Sequence, residues 1–151
     1  MSLKQKITRD LLAAMKAGET LKRDVLRMLD AMIKNTEIEK LKKEQGLDDN
    51  EVQEVISRAI KQRKDAATQY TTGNRPELAE KENKEMEILL EYLPKQMSEE
   101  EVRKVVAEII AKVGATSKAD IGKVMGPAMG KLKGLADGNL VKKIVEEKLE
   151  S

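Results

Sequence analysis

Residues 120–145 read DIGKVMGPAMGKLKGLADGNLVKKIV, and Gly122, Gly126, Gly130, Gly134 and Gly138 recur in this stretch at every fourth position. In an apolar segment that spacing would mark the packing face of a membrane helix. Here Lys123, Lys131, Lys133, Asp137 and Lys142 interrupt every apolar run, so a membrane span is excluded. In a helix exposed to water each interior glycine costs about 1 kcal/mol relative to alanine, and Pro127 lacks the amide that a continuing helix needs. The stretch therefore predicts short helices in place of one long one. The first runs from Ile121 to Met125, a break follows at Gly126-Pro127 with proline opening the next turn, a stop comes near Gly134, and a restart is capped by Asp137. On this reading a valine at Gly126 or Gly134 damages the local fold, by clash or by loss of a left-handed backbone conformation.

Working outward, the rest of the chain repeats its apolar residues at helical spacing. Ser2 is placed to cap a helix with Leu3, Ile7, Leu11 and Met15 on one stripe, closed by Gly18. Leu21, Val25, Met28, Leu29, Met32 and Ile33 continue into a long helix with a polar far half, running toward Gly46. Asp48 or Asp49 then caps a third, whose stripe runs from Val52 to Tyr70 and which Gly73 closes. A fourth begins near Pro76 and stops at Pro94. Ser98 with Glu101 forms a capping-box pattern for a helix that buries Val102, Val105, Val106, Ile109, Ile110 and Val113 and ends at Gly114. Thr116 or Ser117 opens the glycine-spaced stretch, and a last helix buries Leu140, Ile144, Val145 and Leu149. No segment reads as a strand. The expectation is an all-α protein with an N-terminal long-helix subdomain, residues 1–94, and a smaller C-terminal bundle of short helices, residues 98–151.

Composition narrows the chemistry. With no Phe or Trp and only Tyr70 and Tyr92 aromatic, the core must be built from Leu, Ile, Val, Met and Ala. The absence of Cys removes disulfide and thiolate chemistry, and the absence of His removes the usual proton shuttle at neutral pH. A cytoplasmic setting fits, since the opening MSLKQKITRDLLAAMKAG has neither the apolar run of a signal peptide nor the acid-poor make-up of a transit peptide. Residues 1–94 carry 18 basic and 18 acidic side chains, a balance expected of helices laced with opposite-charge pairs. Residues 112–143 carry seven lysines against Asp120 and Asp137, a local charge of +5.

Catalytic machinery is not visible, and no metal site or cofactor is expected. GPAMGKL has three residues between its glycines where a phosphate loop needs four, lacks the Ser or Thr that would hold magnesium, and follows no strand. None of the five serines sits in a glycine-rich loop beside a base. Glu99, Glu100 and Glu101 belong in the first turn of a helix, where negative charge complements the dipole. Glu82, Glu85 and Glu87 have no His or Cys near them in sequence and read as solvated or ion-paired. Asn35, Glu37, Lys61, Arg63, Arg75, Glu82 and Glu85 form a polar set suited to tying the long helices together. What remains is the basic stretch: Lys118, Lys123, Lys131, Lys133, Lys142 and Lys143 on short helices are suited to the phosphates of a folded RNA. The scarcity of aromatics argues against stacking on single-stranded bases.

The strings GKVMG, KLKG and ADGNLVKKIV at their mutual spacing resemble the signature of the GatB/YqeY family. RMLDAMIKNTEIEK, AIKQRKDAATQY and GNRPELAEKENKEMEILLEYLPKQMSEEE extend the resemblance upstream, in the manner of the standalone YqeY type, over nearly the whole chain. That resemblance implies kinship with the C-terminal tail of the GatB component of the tRNA-dependent amidotransferase, a tail that contacts tRNA while activation and ammonia generation belong to other domains. It therefore implies a noncatalytic, tRNA-interacting accessory protein. A family-level label of carbon-nitrogen ligase is implied as well, without residues here to support it. The alternative is a helical adaptor that binds another protein and no RNA, so the expected partners are tRNA or another structured RNA, or else a protein, and no membrane.

Overall fold

The hydroxyl of Ser2 accepts from the Gln5 amide at 3.1 Å while the Gln5 side chain accepts from the Ser2 amide at 2.9 Å, and this capping box opens helix α1, Leu3–Ala17. Asp48 and Glu51 repeat the device at the start of α3, Asp49–Thr72. Between them lies α2, Thr20–Glu39, and α4, Pro76–Leu90, follows with proline in its first turn. The computed structural model describes residues 1–150, and among these all regular structure is helical. The chain divides into two compact units, Met1–Leu93 and Pro94–Ser151.

In the N-terminal unit Ile7, Leu26, Leu29, Ile33, Val52, Ile56 and Leu89 are at most 1% exposed and form one apolar core. Three of its helix ends close in the same way, with a left-handed residue followed by an amide that reaches back five positions. The left-handed residues are Gly18 at φ +72°, Leu41 at φ +56° and Asn74 at φ +59°. The returning amides are Glu19 to the Ala14 carbonyl, Lys42 to Glu37 and Arg75 to Tyr70.

Several expectations are corrected here. Helix α2 stops at Glu39 instead of running toward Gly46, because Lys40 to Gln45 offer no apolar side chain to the core and Leu47 must return to it, where it is buried. Gly73 does close α3 as its C-cap, but with a negative φ, and the left-handed residue is Asn74 just beyond it. Helix α4 ends at Leu90, short of Pro94, as Tyr92 turns inward and its hydroxyl donates to Asp10 at 2.7 Å. Met15 is 45% exposed and Ala14 takes the buried position, a step of one residue around the helix.

In the C-terminal unit Ser98 caps α5, Glu99–Val113, by accepting from the Glu101 amide at 3.2 Å, without the reciprocal half of the box. Gly114, left-handed at φ +70°, closes it, and Val113 is left largely exposed. A 3₁₀ turn, Lys118–Asp120, leads into α6, Ile121–Leu132, and Asp137 caps α7, Gly138–Leu149, by accepting from the Asn139 amide at 3.0 Å. Val102, Val106, Val124, Ala128, Leu132, Val141, Ile144 and Val145 make a second core. The segment before α5 is stitched to the α6–α7 turn: the Gln96 side-chain amide donates to the Pro94 and Gly134 carbonyls at 2.9 Å each, and the Met97 amide to Leu135 at 2.8 Å.

Helix α6 overturns the expected break at Gly126-Pro127, because it runs unbroken through both residues. Gly126 lacks the Cβ that would collide with the proline ring in helical conformation. Pro127 and Lys123 lie on the exposed side, so the Lys123 carbonyl that loses its donor can remain hydrated. Gly122, Gly126 and Gly130 face open space, with nothing within 4 Å of where a Cβ would stand. Only Gly134, at φ +78°, uses a left-handed conformation, and it does so where the helix stops.

Candidate nucleic-acid interface

The buried residues of α6 recur at Val124, Ala128 and Leu132, which turns Lys123 and Lys131 outward. In α7 the buried set Val141, Ile144, Val145 and Leu149 does the same for Lys142 and Lys143. Lys118 on the 3₁₀ turn and Lys133 after α6 complete the group, and all six lysines are exposed. Their local partners differ. Lys118 Nζ lies 3.3 Å from a Glu150 carboxylate oxygen and Lys123 Nζ 3.6 Å from Asp120. Lys133 is also engaged. No ion pair holds Lys131, Lys142 or Lys143 among the described residues.

Asp120 is committed to structure. It accepts from the Thr116 amide at 3.0 Å, and that backbone hydrogen bond holds its carboxyl below the usual range, with Lys123 adding a smaller effect. It therefore stays ionised and offsets Lys123. Across α5 and α7, Arg103 bridges Glu99 at 2.9 Å and Glu147 at 3.0 Å, so these two carboxylates share one arginine. The exposed stripe of Gly122, Gly126 and Gly130 lies on the outer side of α6, where a polyanion would meet no side chain projecting from those positions.

The polar set of the N-terminal half separates into two places. Glu37, 4% exposed, accepts from Lys4 and from the Leu47 amide with one oxygen. Arg63, 7% exposed, lies beside Glu85 with Glu82 nearby. Asn35, Lys61 and Arg75 are exposed, and Arg75 pairs with Glu77 at 2.8 Å. Lys4, Asp24 and Met28 join these groups from far along the chain, and no spacing in the sequence marks them. The D-x-x-E pattern of Asp48 and Glu51 does mark a capping box, but not the additional role of Glu51, which binds Lys40 at 3.1 Å and Lys42 at 2.9 Å. Among the described residues no helix is long and apolar enough to cross a membrane, and no group of three or more acidic side chains is arranged to hold a metal ion.

"Altered inheritance of mitochondria protein 41, mitochondrial" from Lachancea thermotolerans is 37% identical over 87 residues, covering 58% of this chain and 46% of the relative. The protein of the same name from Kluyveromyces lactis is 36% identical over 107 residues, covering 69% of this chain and 56% of the relative. That from Vanderwaltozyma polyspora is 36% identical over 87 residues. The chain thus spans about half the length of the curated relatives it matches. The family model for YqeY-like proteins matches residues 4–149, taking in both helical units, and the chain belongs to that family.

Proposed function

We propose that this protein is a noncatalytic accessory factor that contacts tRNA, or a structured RNA like it, through the lysines of α6, α7 and the turn before them. The observation that carries the reading is the local charge of +5 over residues 112–143 together with the exposure of all six lysines, three of which have no ion-pair partner among the described residues. Phosphate contact of this kind is driven by counterion release and follows the shape of the RNA rather than its bases. With Tyr70 and Tyr92 the only aromatics, and both in the N-terminal unit, the basic surface has no ring on which to stack a base. Nor does that surface carry a nucleophile with an activating base, which supports a binding role without turnover. The curated relatives bear "mitochondrial" in their names, and for this chain a cytoplasmic setting stays our proposal.

Filter binding of the full chain to tRNA across a salt series tests the reading. Wild type should show a steep fall of affinity with salt. The Lys131→Ala/Lys142→Ala/Lys143→Ala variant should fold normally and show a slope shallower by about 3, one for each phosphate no longer neutralised. Salt-independent binding, or a triple variant that binds as wild type does, would overturn the proposal and favour a helical adaptor for another protein.

A further inference from the structure

Between α2, α3 and α4 of the N-terminal unit lies an open groove of about 390 Å³, remote in sequence from the lysines of α6 and α7. Its floor is Arg63, whose side chain is 8% exposed and poorly satisfied. Nη1 donates to the Ala59 carbonyl at 3.3 Å, Nη2 has only the Met28 thioether sulfur at 3.2 Å, and the fully buried Nε has no hydrogen-bond partner. Glu85 lies 3.3 Å from Nε, close enough for charge but not aligned as an acceptor. A thioether is a weak acceptor for a guanidinium, and an oxygen anion would hold Nη2 better. Met28 is 38% exposed and flexible, so the sulfur can yield to a ligand.

The rim has the opposite character. Asp24, Glu82 and Glu85 bring three carboxylates to it; Arg23 pairs with Asp24 from outside the groove at 3.0 Å, and Arg63 is the one guanidinium of the lining. Burial, and after it the neighbouring Glu85 charge, holds the Glu82 carboxyl above its usual range, a condition that an added cation relieves. Val25, Met28 and Ala66 give the groove an apolar wall. A ligand matched to all three features carries a carboxylate, a cationic amine and an apolar body.

We propose that this groove binds a free α-amino acid with an apolar side chain: carboxylate on Arg63 in place of the Met28 sulfur, ammonium between Asp24 and Glu82, side chain along Val25 and Ala66. A simple anion would be repelled by the rim, and a simple amine would leave Arg63 as it is.

The test is titration of the full isotope-labelled protein with L-leucine, followed by amide NMR. Two controls each lack one charged group: isopentylamine lacks the carboxylate and 4-methylpentanoate lacks the amine. L-leucine should shift the amides of residues 24–28, 62–66 and 82–85 saturably, with a dissociation constant on the order of 1 mM for so small a ligand. Each control should bind about tenfold more weakly, the effect of removing one charge-assisted hydrogen bond. Glu82→Gln, nearly isosteric and at the rim, should weaken L-leucine binding about tenfold while leaving the spectrum folded. Arg63→Lys should abolish binding, and if it unfolds the protein the ligand series still decides. Equal binding of isopentylamine would make the groove a cation site. Saturation elsewhere, or none at 20-fold the expected constant, would remove the site altogether.

Discussion

Lys4 Nζ donates to Glu37 Oε2 at 2.7 Å, joining the first turn of α1 to the last turn of α2 across 33 positions of sequence. The same oxygen accepts from the Leu47 amide at 3.1 Å, so one buried carboxylate anchors both the N-terminal helix and the loop that returns to the core. Replacing Glu37 by Ala leaves a buried amide without its acceptor and an ammonium without its counter-charge. The expected loss is about 2–3 kcal/mol, read from urea unfolding, with the Leu47 amide losing hydrogen-exchange protection first. Lys4→Met should cost less, because the Leu47 bond remains.

Leu41 closes α2 in a left-handed conformation at φ +56° with its side chain 92% exposed, whereas the corresponding positions after α1 and α3 are Gly18 and Asn74. Leucine there is strained and packs against nothing. Leu41→Gly should therefore stabilise the protein by about 1 kcal/mol, visible as a higher urea midpoint at unchanged slope.

Gly126 and Gly134 are expected to respond in opposite directions. Gly126 is helical with open space at its Cβ, so Gly126→Ala gains helix propensity of up to about 1 kcal/mol, reduced by the crowding of the following proline. Gly134→Ala forces a side chain into a left-handed turn and should lose about 1 kcal/mol. Thermal melts of the two variants, followed by circular dichroism, decide this. Loss of stability in both would show that crowding against the Pro127 ring outweighs the helix propensity gained at Gly126.

Acid should act first through Glu51. Its carboxyl is held at about 2 against an ordinary value of 4.5, by Lys42 first, then by the Asp48 amide and Lys40. Because the folded value is depressed, the stabilisation is complete above the unfolded value and is lost as pH falls from about 4.5 toward 2. In Glu51→Gln that part of the pH dependence should vanish from the stability profile, with the two curves converging only as the pH falls to about 2. Parallel curves would show that Glu51 is not linked to folding.

The helical periods were readable because each helix offsets its entropy loss by burying one stripe, and Val52 to Ala59 or Val102 to Ile109 show that stripe without a polar break. Caps were readable where the side chain acts within three residues of itself, as at Ser2, Asp48, Ser98 and Asp137. Pro127 misled because local propensity says nothing about whether the orphaned carbonyl faces water. The basic stretch could be seen in the sequence, but not which lysines already have partners: Lys118 finds Glu150 only once α7 has packed back toward the turn. Arg63, Glu82 and Glu85 could be grouped as a polar set linking the long helices, but Asp24 and Met28 were beyond reach for the same reason, since residues of three helices meet only through packing.

The two hydrogen bonds from Gln96 and the one from Met97 have a practical meaning for anyone dissecting the protein. Ser98 looks like the natural first residue of a C-terminal fragment, because a cap starts there. Yet Gly134 and Leu135, at the turn that sets α7 against α6, find partners in residues upstream of that cap. A fragment cut at Ser98 would carry every helix of the unit and still lack the clasp on their reversal, so its α6–α7 corner should fray while one begun at Pro94 stays shut.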